Sequence, residues 1–332
     1  MKALILAPFS SEGLARLRGR MEVVHESWME TQRLYDPEEL GQRLGAEGID
    51  FLVVEADFIF PELLEQAPNL KLVGICRQAL NHVDIDSATE RGVVIVNTPA
   101  RNATAVAELT IGLMLSLARQ IPSASILVAN GGWNDPVLPY LTLRGVELAG
   151  KTAGIVGLGA IGSRVARRLC AMEMQVLGYD PYVDEASATQ MGVTLAPLEE
   201  MIRQADFLSL HLPSSSRTAG IISSSRIDSM KPTAFLVNTA SYAAVDENAL
   251  VAALRESRLA GAAFDVFETH PIAESSPLLK LPNVILTPHI GGATDETVAR
   301  HSRMIVRDIE RFLDGQPPLN MVNAEVWTAR VR

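Results

Sequence analysis

Cysteine is nearly missing from this sequence: only Cys76 and Cys170 occur in 332 residues, far apart and in no metal-ligand spacing. That excludes a disulfide framework and points away from a zinc or other metal site. Both thiols read as small buried apolar groups, and a reducing cytoplasm is the expected compartment. Long hydrophobic runs are missing too. The most apolar helical stretch, Leu109 to Ala118, is about half of what a bilayer span needs, and Glu108 and Arg119 bound it, so no membrane is expected as a partner. The N-terminal run Ala3 to Phe9 is too short for the core of a signal peptide and leads into the helix-start residues Ser10-Ser11-Glu12, so it reads as a first strand. Positive charge is in deficit: 29 basic and 39 acidic residues leave a net charge of −10. No basic block or Arg-rich stripe stands out along the chain, which speaks against nucleic acid as a partner.

What is present is an ordinary globular composition, 48% hydrophobic and 20% charged, long enough for about two domains. Apolar runs at Lys2–Ala7, Phe51–Val54, Leu70–Ile75 and Val93–Val96 alternate with helical stretches such as Glu38–Leu44, which predicts a mostly parallel sheet. A second series opens with a helix over Ala103–Arg119. It continues through strands at Thr152–Val156, Gln175–Tyr179, Phe207–Leu210, Ala234–Asn238, Ala260–Phe264 and Val284–Thr287, a doubly wound pattern. A last helix is expected over Thr294–Leu313. The fold class is α/β, with two parallel-sheet domains.

The strongest motif is Gly157-Leu158-Gly159-Ala160-Ile161-Gly162, directly after an apolar strand and directly before an amphipathic helix. Gly157 permits the tight turn, Gly159 lets the backbone approach a pyrophosphate, and Gly162 lets helix and strand pack closely. The helix start offers free N–H groups to the anion. Asp180 closes the next strand, where a carboxylate accepts the ribose hydroxyls and repels a 2′-phosphate, so the cofactor is NAD rather than NADP.

Several further segments stand in a fixed order: Asn97-Thr98-Pro99-Ala100-Arg101-Asn102 with Val106-Ala107-Glu108-Leu109, His211-Leu212-Pro213, Val237-Asn238-Thr239-Ala240, Phe264-Asp265-Val266, and Thr287-Pro288-His289-Ile290-Gly291-Gly292. With the glycine motif they make the chain resemble the D-isomer-specific 2-hydroxyacid dehydrogenases, the group that includes phosphoglycerate and hydroxypyruvate dehydrogenases. The resemblance spans nearly the whole sequence. It implies a Rossmann NAD-binding domain, residues 99–292, inserted in a flavodoxin-like substrate domain made of residues 1–98 and 293–332. It also implies a homodimer formed through the cofactor domain, a ligand cleft between the domains, and a chain that ends before the extra C-terminal domain of some phosphoglycerate dehydrogenases.

By the same resemblance Ala160, Ile161, His211, Leu212, Pro213, Thr218, Thr239 and Ala240 join the cofactor site, with Asp265 and Gly291 orienting the nicotinamide beside His289. His289 is the acid/base. The backbone of the loop Arg77-Gln78-Ala79-Leu80-Asn81 would hold the carboxylate of a small acid substrate, with Arg101 and Asn102 close by.

Two positions depart from the pattern. The histidine's usual glutamate partner is replaced by His270, so two imidazoles should share one proton and titrate as a unit. The substrate-binding arginine is replaced by Ser241, followed by Tyr242 in place of glycine, and a hydroxyl cannot reproduce a bidentate guanidinium clamp. Arg77, Arg101 and the Tyr242 hydroxyl are the candidates to compensate. Glu55 stands where phosphoglycerate enzymes carry an arginine, which disfavours a phosphorylated substrate. The function expected is NAD-dependent interconversion of a small non-phosphorylated 2-hydroxy acid and its 2-keto acid. The alternatives are a dinucleotide-responsive binding protein that has lost this redox activity, or an enzyme acting on a substrate without a carboxylate.

Overall fold

The computed structural model describes residues 1–330, and the chain divides into two units, Met1–Asn102 with Thr294–Arg332, and Ala103–Ala293. The first boundary falls a few residues beyond the expected 98. Thr98 is fully buried, its N–H bonding to the Arg77 carbonyl and its hydroxyl to that of Ile75, and Ala100 N–H bonds to the Gln78 side chain. These contacts tie the segment after the strand to the first unit.

In that unit β1 (Lys2–Ile5), β2 (Glu22–His25), β3 (Phe51–Val54), β4 (Leu72–Ile75) and β5 (Val94–Asn97) form a parallel sheet in the order β2-β1-β3-β4-β5. β3 and β4 are buried at every residue, as continuous apolar runs with helices on both faces require. The crossover helices start on side-chain caps: Ser10, Asp36 and Asp84 each accept a backbone N–H of the first turn. The helix Asp295–Leu313 packs on this sheet. A Cβ at Gly74 would lie 3.1 Å from Ile305, and Phe312 meets Phe51 edge-on with centroids 5.5 Å apart. Short β2, with no fully buried position, was not evident in the sequence.

The second unit holds β6 (Thr152–Val156), β7 (Gln175–Tyr179), β8 (Thr194–Leu195), β9 (Phe207–Leu210), β10 (Phe235–Asn238), β11 (Gly261–Phe264) and β12 (Val284–Leu286). They run parallel in the order β12-β11-β10-β9-β6-β7-β8. The order reverses between β6 and β9, so the crevice beyond their carboxyl ends is where a doubly wound sheet takes its ligand. The helix Ala103–Arg119 covers one face, placing Leu113, Met114 and Leu117 against Phe207, Val237 and Ala263. No single helix among the described residues is long and apolar enough to cross a membrane.

Two features escaped the linear reading. The helices Ile121–Ala129 and Leu138–Thr142 bury none of their residues and leave Ile126, Val128, Tyr140 and Leu141 more than half exposed, as is Trp133 in the segment between them. The expectation that no Arg-rich stripe exists is overturned: Arg300, Arg303 and Arg307 recur at helical spacing on Asp295–Leu313 and line one recess with Arg16. Separated in sequence, they become one face only at 3.6 residues per turn.

Candidate active site

At the switch point Gly157 has φ +91°, and a Cβ there would stand 2.4 Å from the His211 carbonyl oxygen. At Gly162 a Cβ would come within 1.9 Å of the Gly157 carbonyl oxygen, whereas around Gly159 there is open space. The loop is therefore closed where it must pack and open where a pyrophosphate would approach, which fits NAD. Asp180 Oδ2 accepts the Leu158 N–H at 2.8 Å and Oδ1 accepts that of Tyr182 at 2.9 Å, fixing the carboxylate against the glycine loop. Ala160 is exposed and Ile161 half-buried at the helix entry.

His211 and Leu212 pack on Gly157 from β9. His211 Nε2 lies 2.9 Å from the Ser209 hydroxyl, and burial pushes the imidazole down to about 3, so the ring is neutral. Thr218 closes the following loop by donating to the Pro213 carbonyl at 2.6 Å. After β10, buried Thr239 meets Thr110 at 3.0 Å; because Thr110 donates to Val106, Thr239 supplies the proton of that contact. The Asn238 side chain was missed as a positioning group. Its oxygen accepts the N–H groups of Ala240 and Ser241, and its amide donates to the Ser241 carbonyl at 2.8 Å. An asparagine at a strand end is the signal that could have found it.

Asp265 follows β11 and is buried. Its carboxylate accepts the N–H of Ile290 and of Gly291, each at 2.8 Å, and the hydroxyl of Thr287 at 2.7 Å. These bonds hold the turn in which His289 adopts φ +55°, a left-handed conformation that a non-glycine residue keeps only when its surroundings enforce it. A Cβ at Gly291 would press on the Asp265 carboxylate at 2.9 Å. The turn presents His289 with its Nδ1 2.9 Å from His270 Nε2, both rings exposed. The structure brings this pair together.

Ser241 is half-buried and makes no side-chain hydrogen bond in the described structure. Tyr242 lies beside Glu247. Burial first, then the charges of Glu247 and Glu268, hold its phenol above the usual range. Burial likewise raises the Glu247 carboxyl, and the glutamate was not foreseen.

In the first unit, the loop after β4 leaves Ala79 and Asn81 exposed and Leu80 half-buried. The Arg77 guanidinium has no hydrogen-bond or ion-pair partner among the described residues, and its charge adds to burial in pushing His82 down to about 4. Arg101 is differently placed. Its guanidinium pairs with Glu55 and donates to His301 Nδ1 at 2.8 Å, while His301 Nε2 donates to the Pro8 carbonyl at 2.7 Å. The pair is 14% and 16% exposed, so this cation is already committed. Glu55 is then neutralised, and repulsion of a dianion by an open carboxylate no longer holds as an argument. Asn102, beside Arg101, is half-buried.

Residues 111–291 match the family model described as D-isomer specific 2-hydroxyacid dehydrogenase, NAD binding domain. A glyoxylate reductase of Thermofilum pendens is 40% identical over 84% of this chain and 82% of its own length. A D-3-phosphoglycerate dehydrogenase of Archaeoglobus fulgidus is 37% identical over 97% of this chain but only 59% of its own, so the chain spans little more than half the length of that relative. Among solved structures, the TT0316 protein of Thermus thermophilus superposes with a TM-score of 0.84 at 34% identity, over 97% of this chain and 100% of that one.

Proposed function

Because the chain belongs to the D-isomer-specific 2-hydroxyacid dehydrogenase family, we propose that it is an NAD-dependent oxidoreductase interconverting a small, non-phosphorylated 2-hydroxy acid and its 2-keto acid. The observation that carries this reading is the turn held by Asp265, which fixes His289 against His270. With Nδ1 turned to His270, Nε2 is the atom at which His289 hands a proton to the developing alkoxide, or takes one in the reverse direction. Bound NADH supplies the hydride.

One proton lies between His270 and His289, so the second imidazole orients the first. Replacing an arginine–glutamate combination by Ser241 and His270 keeps the local formal charge unchanged. Arg77, the uncommitted cation, is assigned to the substrate carboxylate. Glu55 leaves no free cation for a phosphate at its position. The alternative of a redox-silent binding protein has no need of a strained, triply anchored histidine. The exposed apolar segment from Ile121 to Leu141 supports a homodimer.

The test is NADH oxidation against 2-keto acids such as glyoxylate and pyruvate, simple ketones and aldehydes, and 3-phosphohydroxypyruvate. Turnover confined to the non-phosphorylated acids supports the assignment. Tight NADH binding without turnover on any of them defeats it, and turnover on ketones alone moves it to a substrate without a carboxylate.

A further inference from the structure

Five arginines meet in one recess of the first unit. Arg300, Arg303 and Arg307 come from one face of the helix Asp295–Leu313, Arg16 from the helix Ser11–Arg18, and Arg101 from the segment after β5; the recess is about 400 Å³. Their charges are unequally compensated. Arg101 is held by Glu55, and Arg16 pairs with Glu310 at 2.5 Å. Arg300 donates to the Arg101 carbonyl at 2.6 Å, a contact that neutralises nothing. Arg303 and Arg307 are exposed and make no ion pair or hydrogen bond with any described residue. Glu310, one turn beyond Arg307, is taken by Arg16. Asp308 is buried and accepts the Leu319 N–H at 2.7 Å and the Asn320 amide at 2.8 Å.

No structural demand explains the cluster. The three helix arginines repel one another at i, i+3 and i, i+4 spacing. They sit mid-helix, before the last turn, where cations would favour the macrodipole. Such a concentration of cationic charge on a chain of net charge −10 is complementary to an anion.

We propose that this recess binds a small multivalent oxyanion, a phosphorylated or polycarboxylate compound. Planar guanidinium forks take phosphate and carboxylate oxygens in pairs, and the volume suits a small molecule rather than a nucleic-acid duplex. The site does not depend on the redox reading, since it uses neither His289 nor Arg77.

The experiment is calorimetric titration of the full chain with pyrophosphate and, separately, with citrate, at an ionic strength fixed by sodium chloride, with a short DNA duplex in parallel. One site per chain is expected for at least one small anion, weakened about tenfold or more in R303Q/R307Q, as loss of charge-assisted bonds implies. Glutamine keeps helix propensity, and an unchanged melting temperature and circular-dichroism spectrum in that variant confirm its fold. Pyrophosphate alone identifies a phosphorylated ligand and citrate alone a polycarboxylate. No heat with either anion, equal affinity in the double variant, or binding of DNA alone overturns the proposal.

Discussion

His270 Nε2 and His289 Nδ1 stand 2.9 Å apart, with ring centroids separated by 4.8 Å and planes inclined at 43°. Each nitrogen of that contact is either donor or acceptor, so one proton lies between the two rings.

Replacing His289 by Asn should lower kcat about 10²–10⁴-fold while leaving NADH affinity unchanged. His270→Ala should cost less, because it removes an orienting partner and not the proton donor. His270→Glu should extend keto-acid reduction to higher pH, since a carboxylate holds a proton on the neighbouring imidazole. The measurement is kcat against pH for all three variants; a profile unmoved by His270→Glu would sink the shared-proton account.

Arg77 and Arg101 should separate cleanly. Arg77→Ala should raise KM for the acid with little change in melting temperature, because its guanidinium supports nothing in the fold. Arg101→Ala strands Glu55 and His301 Nδ1 in a site only about one-seventh exposed. That should cost about 2 kcal/mol, below the ~3–5 of a fully buried pair. Thermal unfolding beside steady-state kinetics decides; the reverse pattern would return Arg101 to the substrate.

Charge placed on the exposed apolar arm should block self-association. Tyr140 and Leu141 are 79% and 74% exposed, so Tyr140→Glu with Leu141→Glu should fold normally. Sedimentation should show a dimer for the parent chain and a monomer for the double variant. A dimer that survives both changes places the interface elsewhere.

Acid should destabilise the fold in a defined window. Burial holds His82 and His301 near 4 and His211 near 3, all below their ordinary 6.5. Once unfolded, these rings take up protons that the folded chain excludes, so stability is full above about 6.5 and falls as pH drops toward 4. Melting temperature should decline through that range by about 2–4 °C per kcal/mol lost. His211→Asn, which remains neutral, should flatten the decline.

Much of the frame could be read without coordinates. The strands around Phe51–Val54 and Thr152–Val156 are short apolar runs whose burial on both faces leaves one assignment, and the glycine motif between strand and helix carries its own turn geometry. The helix Ala103–Arg119 has the bounds that periodicity predicts. Edge strand Glu22–His25, half polar and half exposed, has no such signature.

Residue types and order along the chain thus determined the two parallel sheets and the dinucleotide loop. Only the tertiary structure decided which charges were spent. It joined Arg101 to Glu55 and His301 across 46 and 200 residues, left Arg77 uncommitted, and gathered Arg16 with the arginines of a helix nearly 300 positions later. Local sequence encodes backbone conformation through sterics and burial. The partner of a charged side chain is set by which distant segments the fold brings within a few ångströms, and no periodicity records that.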